Sequence, residues 1–390
     1  LAPQTIRTPG GDAHARPACP HRPPCPGCPR FAERGIAPAA RAALEELARI
    51  HDLPEVPVLE GQGFGFRMRA RLAIRGRVGS PKVGLFETDS HRVVHIPNCS
   101  VHHPLINRVA SVVRRALVET DMTCYSDRAH LGVARYLQVV VERSSQTAQV
   151  VLVANCSTPQ PVAACLDLIR DRLGKDLHSL WFNGNCTQSN VILGPQWHHW
   201  VGPESVVERF GGAAVHYPPG AFGQSNLDLA ERLIAYVRAQ IPPGARAAEF
   251  YAGVGAIGLS VLAELSAITL NEVNPQALRG LELGLGGLAE ADTAKISVVA
   301  GEAGAARELA ADAQLVIVDP PRKGLAPELI DRFLELPPER LIYVSCGLES
   351  LRADALRLTS PGRLRLRSAT AFDLMPYTQH VETVACFERI

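Results

Sequence analysis

The stretch "YVSC" (343–346) runs an apolar, strand-like segment into a thiol, Cys346. A buried cysteine is by default a small apolar filler. In an open α/β sheet, however, the carboxyl ends of strands are where ligands bind, and a thiol there can act as a nucleophile if a base lies near. The last strand-like segment, "HVETVACFERI", supplies a carboxylate, Glu382. A thiolate that adds to C6 of a pyrimidine turns C5 into an enolate-like carbon able to accept a methyl group. A base then removes the C5 proton and the thiol is eliminated, so one difficult step becomes several easier ones. A filler cysteine and a solvated strand glutamate are each ordinary alone, but the two together fit this chemistry better. A second group of thiols lies near the start, where "CPHRPPCPGC" spaces Cys19, Cys25 and Cys28 as C-x5-C-x2-C. Three thiolates need a fourth ligand to close a tetrahedral site, and "HIPNCSVHHP" offers Cys99, with His21, His102 and His103 as other donors. Cys124, Cys156, Cys165, Cys186 and Cys386 show no such spacing and read as core or incidental.

The elements that must position these groups fall into three regions. Residues 1–58 hold the Pro/Cys-rich leader and one helix in "APAARAALEELARIH"; residues 59–204 alternate β-like runs such as "RLAIRGRV" and "YLQVVVER" with one or two helices. From residue 205 the chain turns to strand–helix alternation, the rhythm of a mostly parallel sheet covered on both faces. In "EFYAGVGAIGLSVL" a strand runs into Gly253-Val254-Gly255 and then, by expectation, a helix. A lone G-x-G is weak evidence, because a packing turn explains it equally well. Glu272, at the end of the next strand in "LNEVNP", adds weight, since a carboxylate there can accept both hydroxyls of a ribose. A dinucleotide and S-adenosylmethionine both fit, and the absence of Lys/Ser after the glycines excludes a P-loop. "VIVDPPRKGL" then places Asp319 and two prolines at a strand's end, a "[D/N]PP" that resembles nucleobase methyltransferases. Methyl transfer is thereby favoured over hydride transfer.

"FGQSN" (222–226), "YAGVG" (251–255), "DPPRKG" (319–324), "YVSC" (343–346) and "HVE" (380–382), in this order, resemble the RNA uracil-C5 methyltransferase family over nearly the whole chain. The resemblance implies a Rossmann-like, class I S-adenosylmethionine-dependent α/β catalytic domain (205–390), a preceding α+β central domain (59–204) and a cysteine-rich N-terminal segment (1–58). It implies Cys346 as nucleophile and Glu382 as base, with Gln224, Tyr251, Gly253, Glu272 and Asp319 at the S-adenosylmethionine site. Many such enzymes carry a [4Fe–4S] cluster, which makes Cys99 the expected fourth ligand beside Cys19, Cys25 and Cys28, with zinc as the alternative metal. The chain departs from the family's pattern at Gly347, where Asn usually follows the nucleophile. Gly223 replaces an aromatic, Tyr377 replaces the His of "FPHT", and Ala252 replaces a cysteine.

Arg67, Arg69 and Arg71 recur at period two, which puts them on one strand face. Arg75, Arg77 and Lys82 follow with no acid between. A charge run is usually a solvated face, but this one can neutralise RNA phosphates. A uracil reached by Cys346 must leave its stack, at a cost of about a few kcal/mol, less in a single-stranded loop. The 390 residues are 46% hydrophobic and 20% charged with a net charge of +1, ordinary for a globular protein, so any basic surface is local. No stretch reads as a membrane span or a signal peptide, and ten cysteines are too sparse for a disulfide scaffold; a cytoplasmic location is expected. With no β-barrel preceding the cysteines, the chain looks like the compact 23S rRNA type. A tRNA T-loop enzyme and a non-catalytic RNA-binding or chaperone paralogue are the alternatives; no obligate protein partner is expected.

Overall fold

The computed structural model describes residues 19–390. The first strands in chain order are β1 (Val58–Leu59), β2 (Arg69–Arg77), β3 (Ser80–Phe86), β4 (Val93–His95), β5 (Ala134–Glu142), β6 (Thr147–Ala154), β7 (Leu177–Gly184) and β8 (Gln196–Val201). All but β1 form one sheet in the order β4-β3-β2-β5-β6-β7-β8. Two helices, Pro104–Glu119 and Ala163–Leu173, cover one face of it. In β2 every second residue is apolar and buried (Ala70, Leu72, Ile74), so the intervening arginines share the other face. A hairpin, β9 (Val206–Phe210) and β10 (Ala213–Tyr217), joins this sheet to the next.

The second sheet contains β11 (Ala245–Phe250), β12 (Leu265–Glu272), β13 (Ile296–Ala300), β14 (Leu315–Val318), β15 (Arg340–Ser345), β16 (Leu364–Phe372) and β17 (Glu382–Arg389). Its order is β1-β16-β17-β15-β14-β11-β12-β13. The run β13-β12-β11-β14-β15 is parallel, while β17 is antiparallel to both β15 and β16. Strand order reverses between β11 and β14, which opens a crevice at their carboxyl ends. "LVIV" of β14 is buried at every residue, as a strand covered on both faces must be.

Three features differ from the sequence reading. The helix expected after Gly255 is a short 3₁₀ stretch, Leu259–Glu264, because too few residues separate the loop from β12 to lay a full helix along the sheet. β16 was not among the expected strands; its exposed arginines and late apolar run obscure the alternation. The helix of the leader, α1 (Pro38–Ile50), packs with Leu44 and Leu47 buried, and its Glu46 pairs with Arg352 at 2.5 Å. The chain after it adds β1 parallel to β16, with Val58 opposite Ala371, so this segment is built into the second sheet. Among the described residues no helix is long and apolar enough to cross a membrane.

Candidate active site

The candidate site residues sit where strands end. β11 ends at Phe250 and passes into Tyr251 and Gly253, β12 ends on Glu272, β14 is followed by Asp319, and β15 by Cys346. β17 runs the opposite way, so its first residue, Glu382, lies at the same edge. Ser345 pairs with Thr383, and one further step along both strands sets Cys346 against Glu382. The antiparallel register is therefore what brings the thiol and carboxylate together.

These groups line one cavity of about 610 Å³, whose walls include Gln224, Tyr251, Gly253, Glu272, Asp319, Cys346 and Glu382. Gly253 has φ +59°, a left-handed conformation suited to glycine. Glu272 Oε2 accepts from the Gly253 N–H at 2.7 Å, and Oε1 accepts from Val273 (2.9 Å) and Asn274 (2.7 Å). These bonds hold the glycine turn against the end of β12 and leave one lone pair, on Oε2, for a ribose hydroxyl. Asn274 also caps the next helix, accepting from Gln276 N–H at 2.9 Å. The Tyr251 hydroxyl accepts from the Ala326 N–H at 3.1 Å.

The electrostatics are those of a crowded acidic floor. Glu382 is 3% exposed and its Oε1 has no hydrogen-bond partner. Burial, then the nearby Asp319, push its pKa up, with Arg322 opposing. Burial raises Asp319 as well. The Cys346 thiol is also raised, first by burial, then by Glu382 and Asp319, with Arg322 again opposing. Crowding a thiol and two carboxyls into a buried site disfavours a second negative charge there. Arg322, within the quoted "DPPRKG", was not singled out from the sequence, although a cation beside two acids is what keeps one ionised. Glu249 was missed too. It stands in the apolar run "AAEFY", 2% exposed, beneath the glycine turn.

The cysteines expected as ligands converge. Cys19, Cys25, Cys28 and Cys99 line a single cavity of about 90 Å³ together with His21, Arg67 and His102. Burial raises the Cys28 thiol to about 11, and Cys25, Cys28 and Cys99 are each pushed up by another thiol of the group. Among the described residues no three His, Cys, Asp or Glu side chains are arranged to hold a single ion.

The arginine stripe lies between the two cavities. Arg67 and Arg71 line the cysteine cavity. Arg71 also donates to Gln138 Oε1 at 2.7 Å. Arg69 lies at 4.2 Å over the ring of Tyr217, which lines the 610 Å³ cavity. Arg75, expected to extend the basic face, is instead buried and paired with both oxygens of Asp127 at 2.6 and 2.7 Å. It sits among Phe86, Tyr125 and Tyr136. The departure at Gly223 has a steric reason: a Cβ there would meet Arg69 Cζ and Tyr217 Cε1, each at 2.6 Å. The cation–π pair occupies the space that a larger residue would need.

Residues 309–390 match the family described as tRNA (Uracil-5-)-methyltransferase. An uncharacterised RNA methyltransferase of Protochlamydia amoebophila is 35% identical over 381 residues, covering 95% of this chain and 97% of that one. Another, from Geobacter sulfurreducens, is 27% identical over 403 residues, covering 97% of this chain and 78% of its own. Among solved structures, the tRNA (uracil-54, C5)-methyltransferase of Pyrococcus abyssi, in complex with S-adenosyl-L-homocysteine, shares the fold with a TM-score of 0.72. It is 24% identical, over 88% of this chain and 81% of that one. Fold and relatives agree: the chain belongs to a family of RNA methyltransferases, and its C-terminal residues match the tRNA (Uracil-5-)-methyltransferase family.

Proposed function

We propose that the chain methylates C5 of a uridine in RNA, with S-adenosylmethionine as donor and 23S rRNA as the expected substrate. The carrying observation is the register that brings Cys346 and Glu382 together in the wall of the 610 Å³ cavity. Cys346 Sγ forms a bond to C6 and the C5=C6 electron pair moves onto C5 and its adjoining carbonyl. Gln224, Tyr251, Gly253, Glu272 and Asp319 would hold S-adenosylmethionine, whose sulfonium would give its methyl to C5 and leave as S-adenosylhomocysteine. Glu382 then takes the C5 proton, the double bond re-forms and the C6–S bond breaks. Burial suits Glu382 to this task, because a raised pKa makes it a stronger base than a solvated carboxylate. Arg322 stabilises the thiolate needed for the first step.

Cys19, Cys25, Cys28 and Cys99 would hold a [4Fe–4S] cluster. Their convergence on one cavity supports a shared metal group, with zinc as the alternative to the cluster. Its role is structural or RNA-contacting, since methyl transfer contains no redox step. Of the expected stripe, the exposed Arg71 would meet phosphates, whereas Arg67 and Arg69 have buried guanidinium atoms and back it from within. The test is tritium release from 5-[³H]uridine RNA, comparing wild type with Cys346→Ala. Release that requires S-adenosylmethionine and vanishes in the variant is expected; none from the wild type on rRNA or tRNA lacking the modification would overturn the reading. Mapping the product nucleotide separates rRNA from the tRNA T-loop.

A further inference from the structure

Between the cysteine cavity and the catalytic cavity lies a contact that neither site uses directly. Three rings from distant segments meet there. Phe31 and Tyr377 are 5.4 Å apart, Phe31 and Phe64 5.9 Å, and Phe64 and Tyr377 6.0 Å. Phe31 follows Cys28 closely and itself lines the cysteine cavity. Tyr377 belongs to the loop between β16 and β17, whose Leu374 and Met375 line the catalytic cavity and which leads directly into Glu382.

The two segments are joined by more than rings. The Arg30 N–H donates to the Tyr377 carbonyl at 3.0 Å. Gly63 leaves room for the tyrosine hydroxyl, since a Cβ there would stand 2.0 Å from Tyr377 Oη. Within the loop, Thr378 Oγ1 donates to the Met375 carbonyl at 2.7 Å and accepts from the His380 N–H at 3.2 Å, making a compact turn. Tyr377 itself has φ +68°, a conformation costly for a residue with a Cβ. A strained residue persists only where its surroundings over-determine it, and here those surroundings are the Phe31 and Phe64 rings and the Arg30 amide.

We propose that Tyr377 is a positioning residue: through Phe31 and Phe64 it carries the ordering of the cysteine segment to the turn that walls the catalytic cavity and leads into Glu382. The inference rests on the reading of Glu382 as the reacting base. It gives the cysteine segment a part in catalysis with no electron transfer.

Hydrogen exchange of the amides in 373–381 tests it, in wild type, Phe31→Ala, Tyr377→Ala, Tyr377→Phe and the double alanine variant, with metal retained and after anaerobic chelation. Exchange in that loop should rise in each alanine variant and rise no further in the double variant. Tyr377→Phe should match wild type, and chelation should raise exchange in the wild type but not in Tyr377→Ala. With RNA, Tyr377→Ala should lower kcat about tenfold while KM changes by less than about twofold. Unchanged loop exchange in either alanine variant, or a rise spread evenly over the whole chain, would overturn the proposal. Should Tyr377→Ala not fold, Tyr377→Leu keeps bulk without the planar ring and takes its place. If wild type releases no tritium, the base reading fails while the exchange experiment still decides the coupling.

Discussion

Glu382 must hold negative charge in a place that disfavours it, and its partner thiol shares the difficulty. The proposed mechanism separates their tasks in time: Cys346 would act before methyl transfer and Glu382 after it. Glu382→Gln should therefore allow addition and methylation but not loss of the C5 proton. The expected outcome is a covalent protein–RNA complex that survives denaturing electrophoresis, with turnover reduced by at least about a hundredfold. No complex in that variant, with RNA binding retained, would remove Glu382 from the base role. Glu249 offers a stability test. Burial, then the nearby Asp319 charge, raise it from 4.5 to about 8, the Gly258 N–H opposing. Between those values the folded chain keeps a proton that the unfolded chain has lost. Stability is thus greatest on the acid side and falls as pH rises toward 8. The thermal midpoint should fall from about pH 5.5 to 8.5 in wild type, and fall less in Glu249→Gln. Equal slopes would refute the raised value.

At the scale of elements, the glycine turn after β11 is the most constrained piece of the site. Gly255 has φ +78°, and a Cβ there would stand 2.5 Å from Leu281 Cδ2 and 2.9 Å from Leu259 Cγ. Those side chains pin the turn between the helix Pro275–Gly286 and the 3₁₀ stretch that precedes β12. Gly255→Ala should cost about 1–3 kcal/mol in urea unfolding and weaken S-adenosylmethionine binding, because the displaced turn also carries the Gly253 N–H that Glu272 holds. A variant with wild-type stability and wild-type affinity would show that the turn yields freely. The helix Leu348–Thr359, which follows the nucleophile, starts differently: Gly347 at its N-cap supplies no side-chain acceptor. Ser350 Oγ instead donates to the Gly347 carbonyl at 3.0 Å.

At the scale of the whole molecule, the two sheets, the hairpin and the cysteine segment enclose two cavities with an arginine face between them. Apolar packing is continuous from the central sheet through the hairpin to one face of the catalytic sheet, with Leu137, Phe210 and Ile342 all in it. The chain purified without oxygen should contain about four irons and about four acid-labile sulfides. Cys28→Ser should lose them and lower the thermal midpoint. One zinc per chain would replace the cluster with a single ion.

Much of the site could be read from one dimension because its residues sit at strand ends, and strand ends are marked by abrupt changes of residue type. Cys346, Asp319 and Glu272 each follow an apolar run, and Gly253 follows a strand directly. The cysteine spacing marks three thiols by itself, since their ligand geometry is local. Non-local partners were less legible. The opposition of Cys346 and Glu382 depends on an antiparallel register between strands separated by a helix and another strand. Arg75 looks like Arg71 in sequence, but Asp127 and three aromatic rings remove it from the surface. Gly223 reads as a gap in a motif until Arg69 and Tyr217 are seen to fill it. Sequence by itself determined which chemistry the chain can perform, because reacting groups and turn residues are chosen by type and local spacing. Tertiary structure alone decided which of those groups meet, since register, burial and the packing of Phe31 on Tyr377 arise from contacts between segments far apart in the chain.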